Sequence, residues 1–135
     1  MQHLSFLIVE DHDFQRMMLE RTLRTLGAVS IQSAANGAEA LRHLRASPGT
    51  VDIVMTDLMM PDVDGIELIA ALKKECVGAS IVFTSANESM LEIAIAIAEG
   101  HGMPVLGAVR KPVTPETLRP LLEAYVRRPS GNRNA

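Results

Sequence analysis

"VDIVMTDLMMPDVDG", residues 51 to 65, is an apolar run closed by an aspartate and followed by two more. Residues 51 to 56 are mostly Val, Ile and Met, interrupted by Asp52. A short run of this kind suits a strand buried on both faces, as in a parallel sheet covered by helices. Asp62 follows Pro61, in a turn where Asp is ordinary. Asp64 precedes Gly65 and fits the N-cap of a helix over 65 to 74. Asp57 stands at the end of the strand itself.

Outward from this run, strands and helices alternate. "LSFLIV" (4 to 9) and "SIVFT" (80 to 84) are further continuous apolar runs, and "VLGAV" (105 to 109) is a fifth strand. "VSIQS" (29 to 33) alternates apolar and polar, which suits a sheet edge. Residues 13 to 26 read as a helix with apolar positions 14, 17, 18, 19, 23 and 26, a wide stripe ended by Gly27. "NGAEALRHLRA" (36 to 46) has Asn36 as N-cap and Ala40, Leu41 and Leu44 as inner face, before Pro48 and Gly49 break it. "IAIAIA" (93 to 98) alternates, but Ile and Ala are both apolar. Capping residues in "SANES" before it and a stop in "GHG" after it make it a helix. On that helix Ile95 and Ala96 fall on the face of Glu92 and Glu99, toward solvent or a partner. "PETLRPLLEAYVRR" (115 to 128) is the last helix. Thr114 is its N-cap, Pro115 lies in its first turn, and Pro120 lies where it would kink the helix or shift its start.

This alternation predicts an α/β three-layer sandwich of the flavodoxin-like (βα)5 type, with a parallel sheet in the order 2-1-3-4-5. Ligands in such folds bind beyond the carboxyl ends of the strands, near the switch point between strands 1 and 3.

The totals narrow the function. The chain has 135 residues, enough for one core, and 47% are hydrophobic. One domain over 1 to 127 is expected. The polar end 128 to 135 reads as a disordered tail or the start of a linker to an effector domain. A net charge of −3 argues against a nucleic-acid or anionic-membrane surface, and three Phe, one Tyr and no Trp supply no stacking platform. No long apolar span or signal peptide opens the chain. Cys76 is alone, so no disulfide framework or thiolate metal site is expected, and a cytoplasmic location fits. His3, His12, His43 and His101 show no ligand spacing.

The strand ends carry the chemistry. Strand 1 ends in Glu10 and Asp11, strand 3 in Asp57, strand 4 in Thr84 and strand 5 in Lys111. Clustered carboxylates repel one another unless a cation joins them, and oxygen ligands favour Mg²⁺. A carboxylate can act as a nucleophile and form an aspartyl phosphate, with Lys and a hydroxyl on the phosphoryl oxygens. The sequence has no Gly-rich nucleotide loop, which points to a protein or small phosphate as donor.

"VEDH" (9 to 12), "TDLMMPDVDG" (56 to 65), "FTSA" (83 to 86) and "RKP" (110 to 112), in that order and spacing, resemble the receiver domain of bacterial two-component response regulators, including chemotaxis regulators. The resemblance covers roughly residues 4 to 127. It implies a signalling domain that catalyses only its own phosphorylation and dephosphorylation. Asp57 would accept a phosphoryl group from a sensor histidine kinase or phosphotransfer protein. Asp11 would bind Mg²⁺ directly, Glu10 through water, and Met59 through its backbone carbonyl. Thr84 and Lys111 would hold the phosphoryl oxygens, with Ser85 the rival to Thr84, and the Lys111–Pro112 bond would be cis. The family often has Tyr or Phe three residues before the lysine, as a switch; here that position is Ala108. Output is expected through the fourth helix, fifth strand and fifth helix, with Ile95 and Ala96 meeting an effector domain, a partner or a second copy of the chain. "HGMPVLGAVRKP" and "FQR" look similar to receivers that precede cyclic-di-GMP phosphodiesterase domains.

Three other classes share parts of the pattern. A Toprim-like Mg²⁺-dependent phosphotransfer domain would use Glu10 with Asp62 and Asp64, but that pair lies five residues or more past the strand. A phosphatase of the haloacid dehalogenase class needs a second Asp where Met59 stands. A receiver-like module that only binds partners would not need the full set of acids, hydroxyl and lysine.

Overall fold

The computed structural model describes residues 2–47, 49–57, 70, 73–74 and 78–127. The expected helix over 65 to 74 falls mostly outside them, although Ala70, Lys73 and Lys74 are helical. Met59, Asp62, Asp64, Cys76 and the end 128–135 also lie outside the described residues.

The chain runs β1 (Ser5–Val9), α1 (Asp13–Thr25), β2 (Ser30–Ala34), α2 (Gly37–Ala46), β3 (Ile53–Asp57), β4 (Ser80–Ser85), α3 (Glu88–Gly100), β5 (Val105–Arg110) and α4 (Pro115–Arg127). Here α3 is the fourth helix of the sequence reading and α4 the fifth. The five strands are parallel, in the order β2-β1-β3-β4-β5.

Strand alternation divides the core between two faces. Leu7, Val9, Val54, Ile81 and Phe83 pack on one side against Ala40 and Leu44 of α2 and Leu91, Ala94 and Ala98 of α3. Phe6, Ile8, Ile53, Met55, Val82 and Val109 pack on the other against Leu19 and Leu23 of α1 and Leu118 and Leu122 of α4. Because both faces are covered, β1, β3 and β4 need apolar residues at successive positions, which is why they read as continuous runs. β2 pairs only with β1 and keeps alternate residues toward solvent, as its polar alternation predicts. At Gly107 in β5 an added Cβ would lie 2.6 Å from Leu121 Cδ2, so α4 packs directly onto backbone there.

Capping sets the helix starts. Asn36 Oδ1 accepts from Glu39 N at 2.8 Å, and Asn87 Oδ1 from Met90 N at 3.1 Å. Thr114 Oγ1 accepts from Thr117 N at 3.2 Å, and α4 continues through Pro120. Asn36→Ala should lower stability by about 1 kcal/mol, because the Glu39 amide loses its acceptor. An unchanged urea midpoint for that variant would show the cap to be energetically idle.

One expectation about a helix face needs correction. Ile95 does not face solvent: it is half-buried against the core, while Ala96 is exposed and Ile93 is 51% exposed. The buried stripe of α3 is Leu91, Ala94 and Ala98, and Ile95 lies one turn after Leu91 on its margin. In α1 only the later part of the apolar stripe is buried. Leu19 and Leu23 are inside, whereas Phe14, Met17 and Met18 are 60%, 59% and 41% exposed.

No helix among the described residues is long and apolar enough to cross a membrane.

Candidate functional site

The carboxyl ends of β1, β3, β4 and β5 meet at one rim of the sheet. Glu10 and Asp11 follow β1, Asp57 ends β3, Thr84 and Ser85 end β4, and Lys111 follows β5. Carboxylate oxygens of Glu10, Asp11 and Asp57 all lie within 4.8 Å of one another. Glu10 and Asp57 are buried, and Asp11 is exposed.

The backbone around this cluster is pinned. Glu10 N donates to Ala34 O at 3.1 Å, and Glu10 O accepts from Arg16 Nη1 at 2.9 Å. Glu10 Oε2 accepts from His12 N at 3.2 Å, and His12 in turn caps α1 by accepting from Gln15 N. Lys111 N donates to Ser85 O at 2.9 Å, and the Lys111–Pro112 bond is cis.

Among the described residues, Lys111 is the cation that pairs with these acids. Its Nζ lies 2.7 Å from Glu10 Oε1, 3.0 Å from Asp57 Oδ2 and 2.9 Å from Gln15 Oε1. Three acceptors match the three N–H bonds of an ammonium. Burial opposes its charge, but the hydrogen bonds to Glu10 and Asp57 outweigh that and hold the Lys111 pKa above its ordinary value. Burial pushes Glu10 up, with Asp57 adding to it, and the bond to Lys111 only partly offsets the rise. Glu10 therefore gains from any further cation that reaches it.

The two hydroxyls at the end of β4 differ. Thr84 is level with Asp57 in the sheet, and its Oγ1 donates to Thr56 O at 3.4 Å. Ser85 Oγ accepts from Asn87 N at 3.0 Å. A hollow of about 710 Å³ is lined by Asp57, Ser85, Asn87, Glu88, Arg110 and Lys111, among others, and Thr84 is not one of them. Thr84 lines a neighbouring hollow of about 480 Å³ with Glu10, Lys111, Phe14, Met18 and Pro112.

The sequence reading thus placed Glu10, Asp11, Asp57, Thr84 and Lys111 at strand ends, and the structure brings them together at one rim. The Met59 carbonyl lies outside the described residues. The reading missed Gln15 and Arg110, because neither stands in an acid, hydroxyl or lysine position that metal or phosphoryl chemistry singles out. The spacing of Gln15 from Glu10 across the turn into α1 was the available signal.

A family model described as the response regulator receiver domain matches residues 6–123. The chain belongs to that family. The receiver domain is 33% identical over 126 residues to the cyclic di-GMP phosphodiesterase RocR of Pseudomonas aeruginosa, covering 93% of this chain and 32% of that protein. It spans still smaller shares of two further curated relatives, 8% of the sensor kinase CckA of Brucella abortus and 6% of the sensor protein EvgS of Escherichia coli. Among solved structures it is similar to the Vibrio cholerae chemotaxis protein CheY4, with a TM-score of 0.74 and 26% identity over 90% of this chain and 97% of that one. It is similar also to the receiver domain of the hybrid histidine kinase CckA, with a TM-score of 0.72 and 28% identity over 91% and 99%. Receiver domains are signalling domains of two-component systems and bind Mg²⁺ at an acidic pocket. The described residues of this receiver domain hold such a cluster of acids.

Proposed function

We propose that this receiver domain takes a phosphoryl group onto Asp57 from the phosphohistidine of a sensor kinase or phosphotransfer protein. The observation that carries the proposal is the meeting of Glu10, Asp11, Asp57 and Lys111 at one rim, with Asp57 lining an open hollow. An Asp57 oxygen forms the new O–P bond as the donor's N–P bond breaks, leaving its electron pair on the imidazole. The donor set is all oxygen and strongly acidic, which fits Mg²⁺ rather than a soft metal. Asp11 and Asp57 would hold the ion directly, Glu10 through water and Met59 through its carbonyl. Bound there, Mg²⁺ supplies positive charge to the phosphoryl oxygens. Lys111 already touches Asp57 and donates to those oxygens from the other side.

For the hydroxyl we favour Ser85 over Thr84. Ser85 opens into the same hollow as Asp57, whereas the Thr84 hydroxyl is turned to a backbone carbonyl. Ser85→Ala should lower the steady level of phosphorylated protein by about tenfold, the loss of one hydrogen bond to a charged group. Thr84→Ala should change it less. The reverse ranking in a phosphorylation time course restores the role of Thr84.

The exposed Phe14 and Met18 line the hollow beside Lys111, and with the exposed Met17 of the same helix they suit the apolar part of a donor protein's contact. Output is proposed through α3, β5 and α4, with Ile93 and Ala96 rather than Ile95 as the accessible residues of α3. Likeness to one region of RocR supports a receiver that informs an effector domain.

Intact-mass measurement after incubation with a small acyl phosphate and Mg²⁺ tests the function. The expected result is a gain of one phosphoryl group, mapped to the peptide containing Asp57 and absent with chelator. No gain would leave a receiver-fold interaction module without phosphotransfer.

A further inference from the structure

Arg110 and Lys111 are consecutive, yet they serve opposite sides of the rim. Val109 points to the α1 and α4 side, so alternation sends Arg110 to the α3 side, where it is level with Ser85. Arg110, Glu88, Ser85, Asp57 and Lys111 line one hollow.

The two cations are engaged to very different degrees. The Lys111 ammonium has three close acceptors, at 2.7, 2.9 and 3.0 Å. It can meet a new negative group only by loosening one of them. The ion pair of Arg110 is with Glu88 at 3.9 Å, beyond hydrogen-bond length, with the two side chains 67% and 74% exposed. Such a pair is well screened and holds its members weakly.

Phosphorylation of Asp57 adds negative charge and oxygens to this hollow. A guanidinium matches phosphoryl oxygens in a two-bond fork that an ammonium cannot make. We propose that Arg110 is a phosphoryl-binding residue, held aside by Glu88 until Asp57 is phosphorylated, and that it then closes onto the phosphoryl oxygens. The proposal rests on Asp57 being the acceptor and extends that assignment to a second cation lining the same hollow as Lys111.

The movement also reaches α3. Glu88 lies in the first turn of α3, where a carboxylate is favoured by the helix dipole. When Arg110 leaves, Glu88 stays with its helix and its charge is no longer paired with Arg110. The first turn of α3 then changes from a charge pair to a net negative charge. Ala108 is too small to relay occupancy of the site, and the Arg110–Glu88 pair provides a relay from the end of β5 to α3.

Beryllium fluoride with Mg²⁺ forms a phosphoryl mimic on an aspartate and gives the test. Arg110→Ala should weaken its binding to the full chain by about tenfold, and Arg110→Lys should recover only part of that. Glu88→Gln should tighten binding by about threefold, because nothing then holds Arg110 aside. The gain should vanish in the Glu88→Gln, Arg110→Ala double variant. Binding of Mg²⁺ alone should be the same in all of them, which a general structural role for Arg110 would not produce. Unchanged beryllium fluoride affinity in Arg110→Ala overturns the proposal, as does weaker binding in Glu88→Gln. If the parent chain binds Mg²⁺ but no beryllium fluoride, or if Asp57→Asn binds it equally well, the assignment of Asp57 fails and the role of Arg110 falls with it.

Discussion

Asp57→Asn is expected to leave a folded protein that takes up no measurable phosphoryl group from a small acyl phosphate. Asn keeps the size and shape of the side chain, which matters at a position that is 6% exposed. It removes the charge and the nucleophilic oxygen, and no neighbour can substitute. Glu10 is tied to Lys111 and the His12 amide, and Asp11 is exposed and, unlike Asp57, does not line the hollow. The loss should be on the order of a thousandfold or more, as when a nucleophile is deleted. The fold should not suffer. One of three crowded carboxylates becomes neutral, while Lys111 keeps Glu10 and Gln15 as acceptors. Without metal the variant should therefore be at least as stable as the parent, and Mg²⁺ should stabilise it less, since one charged ligand has gone. Intact mass over time and urea unfolding with and without Mg²⁺ check both halves. Phosphoryl uptake that survives the substitution moves the acceptor elsewhere and removes the basis for the proposed function.

How far the sequence led follows from which interactions are local. Continuous apolar runs identified β1, β3 and β4 because a strand covered on both faces has no polar side to show. β2 was legible as an edge for the opposite reason. Asn36, Thr114 and the flanks of α3 were legible because a cap is a contact within one turn. The acids and Lys111 were legible as a set because the topology brings the carboxyl ends of the strands to one rim. Side-chain direction was less accessible. Ile95 was assigned to the face toward solvent or a partner from its place between Glu92 and Glu99, but the buried face of α3 depends on how the helix lies against β4 and β5. The choice between Thr84 and Ser85 met the same difficulty. Both end an apolar run, and only packing shows the Thr84 hydroxyl turned to Thr56 and Ser85 among the residues that line the hollow with Asp57. Gln15 and Arg110 escaped because neutral amides and exposed arginines are common, and their importance depends on what lies across the rim.

Lys111→Ala should be the costliest change to the metal-free protein at this site. It removes the ammonium that lies 2.7 Å from the buried carboxylate of Glu10 and 3.0 Å from that of Asp57. Breaking a buried pair from one side is expensive, and the partial exposure of Lys111 reduces the cost to about 2 kcal/mol at neutral pH. Glu10 sets the pH dependence. Burial already raises its pKa in the folded protein, and the variant loses the hydrogen bond and charge of Lys111 that lower it. A carboxyl whose folded pKa is raised favours the folded state at low pH, and that contribution is lost as pH rises through the folded value. The deficit of the variant should therefore be smallest near the ordinary carboxylate range and grow toward neutral pH. In the parent the raised pKa of Lys111 works in the other register: its contribution holds across neutral pH and is lost only as pH climbs through an alkaline value. Mg²⁺ should reverse much of the damage, because it reaches the same acids without a competing ammonium, and its affinity should rise by about tenfold. Urea midpoints for parent and variant, at acidic and neutral pH, in chelator and in Mg²⁺, separate these effects. Coincident midpoints in chelator at neutral pH, or Mg²⁺ binding no tighter in the variant, would mean that Lys111 does not hold the acids together.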